Sequence, residues 1–172
     1  TKIGSGTLTL NGTNSYTGST IVGAGTLALG SATTYISNSV NIVVNNGATL
    51  DVSAKPTITL NGSIGQTLSG SGTVNGGVIN GTGATISPGD GTINTLTVGP
   101  LTMSGGTNLL DVSTVSGQSD LINATDLTLT SGTMHLVAAN ALTSGVYKLI
   151  SYSGTLRSGA GSSGNLVVIV TG

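Results

Sequence analysis

Residues 6–30 read GTLTLNGTNSYTGSTIVGAGTLALG. The pentapeptide GTLTL at 6 returns as GTLAL at 25, nineteen residues later, with an Asn-Gly and a Tyr-Thr-Gly between the copies. Within GTLTL, Leu8 and Leu10 fall on one side and Thr7 and Thr9 on the other, the alternation of a half-buried strand. The stretch writes a strand, a glycine turn and another strand, then starts over. The same two-sided writing runs through VNIVV (40–44), ATLDV (48–52), TITL (57–60), INTLTV (93–98), DLTLTSGTMHLV (126–137), YKLIS (147–151) and NLVVIV (165–170). About a dozen β runs of three to six residues result, punctuated by NG, SG, GG or PG turns. No window carries a 3.6-residue apolar stripe. ANAL (139–142) is the one helix-friendly stretch, and four residues make no stable helix. The chain reads as all-β.

Composition narrows what such a chain does. Of 172 residues, 29 are glycine, 5% are charged and 2% are aromatic, all of these tyrosine. Ordinary soluble domains carry roughly 25% charged residues. High glycine can mark disorder, but disorder goes with low hydrophobicity and high net charge. Here the net charge is −1 and mean hydropathy is +0.35, so order is expected. Nucleic acid is not an expected partner, because Lys2, Lys55, Lys148 and Arg157 are scattered where phosphate binding needs clustered cations. No apolar run approaches the ~20 residues of a membrane span, and no basic amphipathic segment suggests a membrane surface. The first residues lack a signal peptide's charged and apolar regions, as expected of a mature protein or of a piece of a longer one. With no cysteine, disulfides and thiolate metal sites are both excluded.

Short, evenly spaced strands also suit a sandwich or barrel, but three features favour a solenoid. Self-similarity recurs near twenty residues, as in repeat architectures: GTLTL at 6, GTLAL at 25, GATLDV at 47 and GATISPG at 83 share one G-x-hydrophobic register. The inward positions are Leu, Ile and Val, which fill a narrow interior where rings would not. The turns are Gly, Asn, Ser and Thr, which tolerate left-handed backbone and can stack in hydrogen-bonded ladders. At ~20 residues per coil and ~4.8 Å per rung, the expectation is a parallel β-helix of roughly eight coils, on the order of 40 Å long. The scarcity of charge fits, because like charges stacked at rung spacing repel. Neither TKIGSG at the start nor VVIVTG at the end reads as a cap, so the chain is expected to be a segment of a longer stack.

On these residues the chain resembles the autotransporter-associated β-strand repeat of bacterial type V passenger domains. GTLTLNGTNSYTGSTIVGAGTLALG (6–30) carries the likeness most tightly. It extends to GATISPGDGTINTLTVGPLTMSGGTNLLDV (83–112), QSDLINATDLTLTSGTMHLV (118–137) and GVYKLISYSGTL (145–156). The resemblance implies a right-handed parallel β-helix, secreted or displayed at the cell surface, in the company of adhesins. One solenoid segment spans 1–172, with passenger-type repeats over 1–82 and C-terminal passenger-like coils over 83–172. The family's membrane barrel is absent from this sequence.

No residue stands out as a reacting group. His135, in GTMHLV, reads as a solvated strand residue, and Asp126, nine positions upstream, does not stack on it. Glycosidases need paired carboxylates, and the candidates are Asp51, Asp90, Asp111, Asp120 and Asp126. Asp51 and Asp111 each sit in Leu-Asp-Val, sixty residues apart. Three coils would place them on one face about 14 Å apart, too far for acid/base partnership. Asp90, in SPGDG, is turn chemistry. GSGTVNGG and TMSGG offer the glycines of a calcium β-roll without its aspartate. Gly159 to Gly164 match GxGxxG but precede a strand rather than a helix, so the phosphate-cradle context fails. The sequons at Asn11, Asn61, Asn80 and Asn123 follow from composition. The frames Thr7/Thr9, Thr57/Thr59, Thr95/Thr97 and Thr128/Thr130 suggest an ice-binding rank, but their irregular intervals do not form one, and exposed strands favour threonine anyway. No catalytic, cofactor or metal site is assigned, and the chain is not read as an enzyme.

The function expected is that of a rigid stalk or an adhesive or fibre-forming surface outside the cell, with end-to-end self-association and a surface or carbohydrate ligand as possible partners. The alternative is that the C-terminal half templates folding during export. A polysaccharide-active enzyme and an ice-binding solenoid are the remaining readings.

Overall fold

A computed structural model describes residues 1–89, 91–113, 117–142, 144, 146–158 and 166–171, with the backbone alone at 158 and 166–171. Strands follow one another from β1 (Thr7–Leu10), β2 (Thr20–Val22), β3 (Thr26–Leu29), β4 (Asn41–Val44), β5 (Thr49–Asp51) and β6 (Thr57–Thr59). Then come β7 (Thr67–Gly70), β8 (Thr73–Asn75), β9 (Gly77–Gly81), β10 (Thr85–Pro88), β11 (Thr95–Val98) and β12 (Leu101–Val112). The series closes with β13 (Leu121–Ala124), β14 (Leu127–Ala138), β15 (Ile150–Tyr152), β16 (Leu156–Ser158) and β17 (Leu166–Thr171). A 3-10 turn at Gly62–Ile64 is the one helical element among the described residues, with the Asn61 side chain accepting from the Ser63 N–H at its start.

Among the described residues every pairing between strands is parallel, and each strand lies on one from the neighbouring coil: this is a parallel β-solenoid. One sheet holds seven strands in the order β1-β3-β5-β8-β11-β13-β15. The ten-stranded sheet folds around a corner into two faces. β12 pairs with β9 through Leu101–Gly105 and with β10 at Thr107 and Asn108, so its twelve residues turn the corner without a break. β14 does the same, and the register slips between Ser104 and Thr107. The glycines of TMSGG and LTSG therefore serve as bulges inside long strands, where the sequence pattern had suggested turns between short ones.

The coil count differs from the roughly eight expected: the first sheet has seven rungs. The step along it grows from 19 residues between Thr7 and Thr26 to 28 between Ile122 and Ile150. Longer coils leave fewer of them. GATISPG at 83 also belongs elsewhere than GTLTL, GTLAL and GATLDV. Those three lie on β1, β3 and β5 of the first sheet, whereas Thr85–Pro88 is β10 of the second.

Alternation decides what fills the interior. Leu8, Leu27, Leu50, Val74 and Val98 form one column, one residue per rung, and the last four are buried. On the second sheet Ile42, Leu68 and Ile86 stack likewise. The buried apolar residues are aliphatic or methionine. Ring-free stacking lets identical shapes repeat at strand spacing with little void. At one corner the column turns polar. Asn80 and Asn108 are fully buried, and Asn80 Nδ2 donates to the Thr107 carbonyl (2.9 Å) and to Asn108 Oδ1 (3.3 Å). Asn80 Oδ1 has no hydrogen-bond partner and lies where a side chain on Gly106 would be, 2.1 Å from an ideal Cβ.

Candidate functional site

The outward side of the first sheet carries a regular rank. Thr7, Thr26, Thr49, Thr73 and Thr97 are register partners on five successive rungs. Thr67, Thr85, Thr107 and Thr133 make a second such rank on the other sheet. Of the T-x-T frames only Thr7 and Thr97 enter them. Thr9, two residues along from Thr7, is followed on successive rungs by Ala28, Asp51 and Asn75, so the double rank of an ice-binding face does not form there. Thr57/Thr59 and Thr128/Thr130 belong to the ten-stranded sheet, apart from Thr7/Thr9 and Thr95/Thr97 on the seven-stranded one. Part of the signal was present, since threonine opens β1, β3, β5 and β8, but Thr97 is the third residue of β11.

The aspartates act as staples. Asp51 Oδ1 accepts from the Ser53 N–H (2.9 Å) and from Asn75 Nδ2 on the next coil (3.1 Å). Hydrogen bonds from Ser53, side chain foremost, hold its carboxyl below the ordinary value. Asp126 Oδ1 accepts from the Thr155 N–H one coil on (2.6 Å). Asp120 is fully buried and accepts from the backbone N–H of Asn94 (2.8 Å) and of Asp111 (2.9 Å), tying two coils together. Asp51 and Asp111 do not share a face as expected: Asp51 is on the seven-stranded sheet and Asp111 on the ten-stranded one. The LDV triplet recurs, but coils of unequal length carry it to different sides. Asp90 and the GxGxxG segment lie outside the described residues.

Burial pushes the Asp120 carboxyl up to about 6, with the Asp111 charge adding to the shift and the two backbone donors opposing it. A carboxyl raised in the folded chain stabilises it when protonated. That contribution is fully present below the ordinary carboxyl range and is lost as pH rises through about 6. The chain is expected to gain stability relative to its Asp120→Asn variant on going from pH 7 to pH 4.5. At about 1.36 kcal/mol per pKa unit the gain is at most about 3 kcal/mol. Urea melts of both chains at the two pH values measure it, and parallel curves would refute the burial account.

His135 lies between Leu109 and Ile169 in the stack. Asn80 is buried and Asn61 caps the 3-10 turn, whereas Asn11 and Asn123 are exposed. Lys2 is buried at the first rung, its ammonium donating to the carbonyls of Ile3, Gly4 and Ala24.

A cleft of about 510 Å³ opens on the third side, between the second and third coils. The first two coils have no strand there, only the bridge between Thr13 and Tyr35. β6 begins the face and pairs with β9 alone among the described strands. Because Pro56 and Leu60 turn their backbone bonds toward β9's coil, alternation aims those of Thr57 and Thr59 the other way, into the cleft. Three side chains of the third coil cross the gap in place of a ladder. Lys55 Nζ donates to the Thr34 carbonyl (3.1 Å), Gln66 Nε2 to Ile36 (3.1 Å) and Ser39 (2.5 Å), and Asn61 Nδ2 to Ser37 (2.9 Å). The Lys55 ammonium also lies 3.7 Å from the centre of the Tyr35 ring. Burial pushes that ammonium below its ordinary value. Nothing in the sequence pattern announced the cleft, because it arises from a strand that two coils lack.

The parallel β-solenoid, with its rungs stacked in register, supports a passenger-type β-helical segment. Residues 1–36 match the family model of the passenger-associated transport repeat, so the resemblance read from 6–30 holds. That match covers β1 to β3 and ends at Tyr35 and Ile36, which form one wall of the cleft. The family is a structural repeat of autotransporter passengers, which are secreted or surface-exposed. No curated protein and no solved structure matches.

Proposed function

We propose that this chain is a rigid spacer outside the cell whose outer faces adhere weakly and multivalently through rows of Thr, Ser and Asn. The observation that supports it is the five-rung threonine rank in unbroken register. Each hydroxyl contributes little, and repetition at strand spacing multiplies the effect. Changing Thr26, Thr49, Thr73 and Thr97 to valine one after another removes hydroxyls and keeps strand propensity. Retention of the displayed chain on a polysaccharide surface is expected to fall stepwise. Retention unchanged in the fourfold variant would defeat the adhesive part. The enzyme reading would return if turnover on a polysaccharide panel were abolished by Asp111→Ala. End-to-end association belongs to the same proposal, and a strict monomer across concentrations in sedimentation would count against it.

One observation favours the templating alternative for residues 83–172. β12 and β14 are twelve-residue strands paired along their length, whereas the strands before residue 83 have three to five residues. Longer ladders make a better nucleus for coil-by-coil growth. Templating predicts that 83–172 folds alone and 1–82 does not. Equal stability of the halves supports the plain spacer.

A further inference from the structure

We infer that the cleft between Tyr35 and β6 binds a compact acidic saccharide, a single pyranose bearing one carboxylate, at a site separate from the threonine rows. The volume of about 510 Å³ falls within the range of small-ligand sites. Its two ends are closed by the Lys55 and Asn61 bridges to Thr34 and Ser37. An extended chain cannot pass through, so the occupant is short.

The lining fixes the chemistry. Leu29, Ile42, Ile58 and Leu60 close the floor from the core side and are nearly buried, and the half-exposed Tyr35 ring offers the apolar surface that a sugar's C–H face covers. The wall above it is a strand edge without a neighbouring strand, with the Thr59 N–H and the Thr57 carbonyl as donor and acceptor. Paired donors and acceptors over an apolar floor suit a polyol better than a hydrocarbon. Lys55 brings the single charge, since no Asp or Glu is among the lining residues. The ammonium donates to Thr34 and rests against the Tyr35 ring, and with three hydrogens it retains one to offer an anion. One isolated cation balances one carboxylate. A phosphate calls for several cations or an array of amides, and neither lines the cleft.

The inference does not depend on adhesion through the outer rows, and its test separates the two. Amide NMR of the whole chain is titrated with galacturonate, N-acetylneuraminate and neutral galactose. At least one of the two acids is expected to shift the Thr59 amide and to bind at least tenfold tighter than galactose. Lys55→Met keeps the stem and removes the charge, and should cost that acid at least tenfold in affinity. Lys55→Arg should restore most of it. The Thr49→Val/Thr73→Val double variant should bind as the parent does. A thermal melt accompanies each variant. Should Lys55→Met lose the fold, the acid-against-galactose ratio in the parent and in Lys55→Arg still decides. Equal binding of galactose and both acids, no shift at Thr59 with any sugar, or loss of binding in the row variant with Lys55→Met unaffected would each overturn the site.

Discussion

Gly70→Ala is expected to cost roughly 3–5 kcal/mol, a large share of the ~5–15 kcal/mol that holds a domain together. Gly70 closes β7, is buried, and has φ +103°. It sits between Val44 on the rung before and Pro88 on the rung after. A methyl there would lie 2.2 Å from the Val44 carbonyl oxygen, 2.8 Å from its carbon and 3.0 Å from its nitrogen. Those are backbone atoms fixed by their own ladder, so the rungs must separate. Backbone strain at positive φ adds about 1–3 kcal/mol and overpacking a similar amount. Gly47 is the control. Its φ is +74° with nothing within 4 Å of an added Cβ, so Gly47→Ala shows the backbone cost alone, about 1 kcal/mol. Chemical denaturation of the two variants measures the difference, and equal losses would mean the rungs are not in close contact at Gly70.

Leu50→Ala is the second large effect, expected to cost about 2–5 kcal/mol. Leu50 is fully buried between Leu27 and Val74 in its column, and a cavity there cannot be filled by side chains held at strand spacing. Its neighbour Thr49 points outward, and Thr49→Ala should cost no more than about 1 kcal/mol through lost strand propensity. The contrast between adjacent residues reads out the alternation directly. Similar costs at 49 and 50 would refute the assigned faces.

What the sequence disclosed follows from how local the signal is. GTLTL, GTLAL and GATLDV are separated by about one coil, and their likeness was enough to stack β1, β3 and β5 in register. The errors came from treating the coil as constant. Asp51 and Asp111 were placed three coils apart on one face, but coils that lengthen toward the C-terminus put Asp111 on the other sheet. The same drift hides the threonine rank in the sequence, because the steps from Thr7 to Thr97 are unequal. Glycine misled in a second way: at Gly105, with φ +112°, it bends a continuous strand around a corner. The cleft was out of reach for another reason. Lys55, Asn61 and Gln66 lie eleven residues apart at most, but their acceptors on Thr34, Ser37 and Ile36 become neighbours only when two coils stack without a ladder.

Parallel stacking at strand spacing is the claim beneath all of this, and spin-label distances test it most directly. The chain has no cysteine, so nitroxides can be attached at cysteines introduced in pairs for Thr7, Thr26 and Thr97, all on the outward rank. Four rungs separate the 7/97 backbones by about 19 Å, and 26/97 should be shorter by one strand spacing, about 5 Å. Distances that decrease in this way along the row establish the solenoid. A 7/97 separation far from this value, or one that lengthens on moving the label to 26, would contradict it.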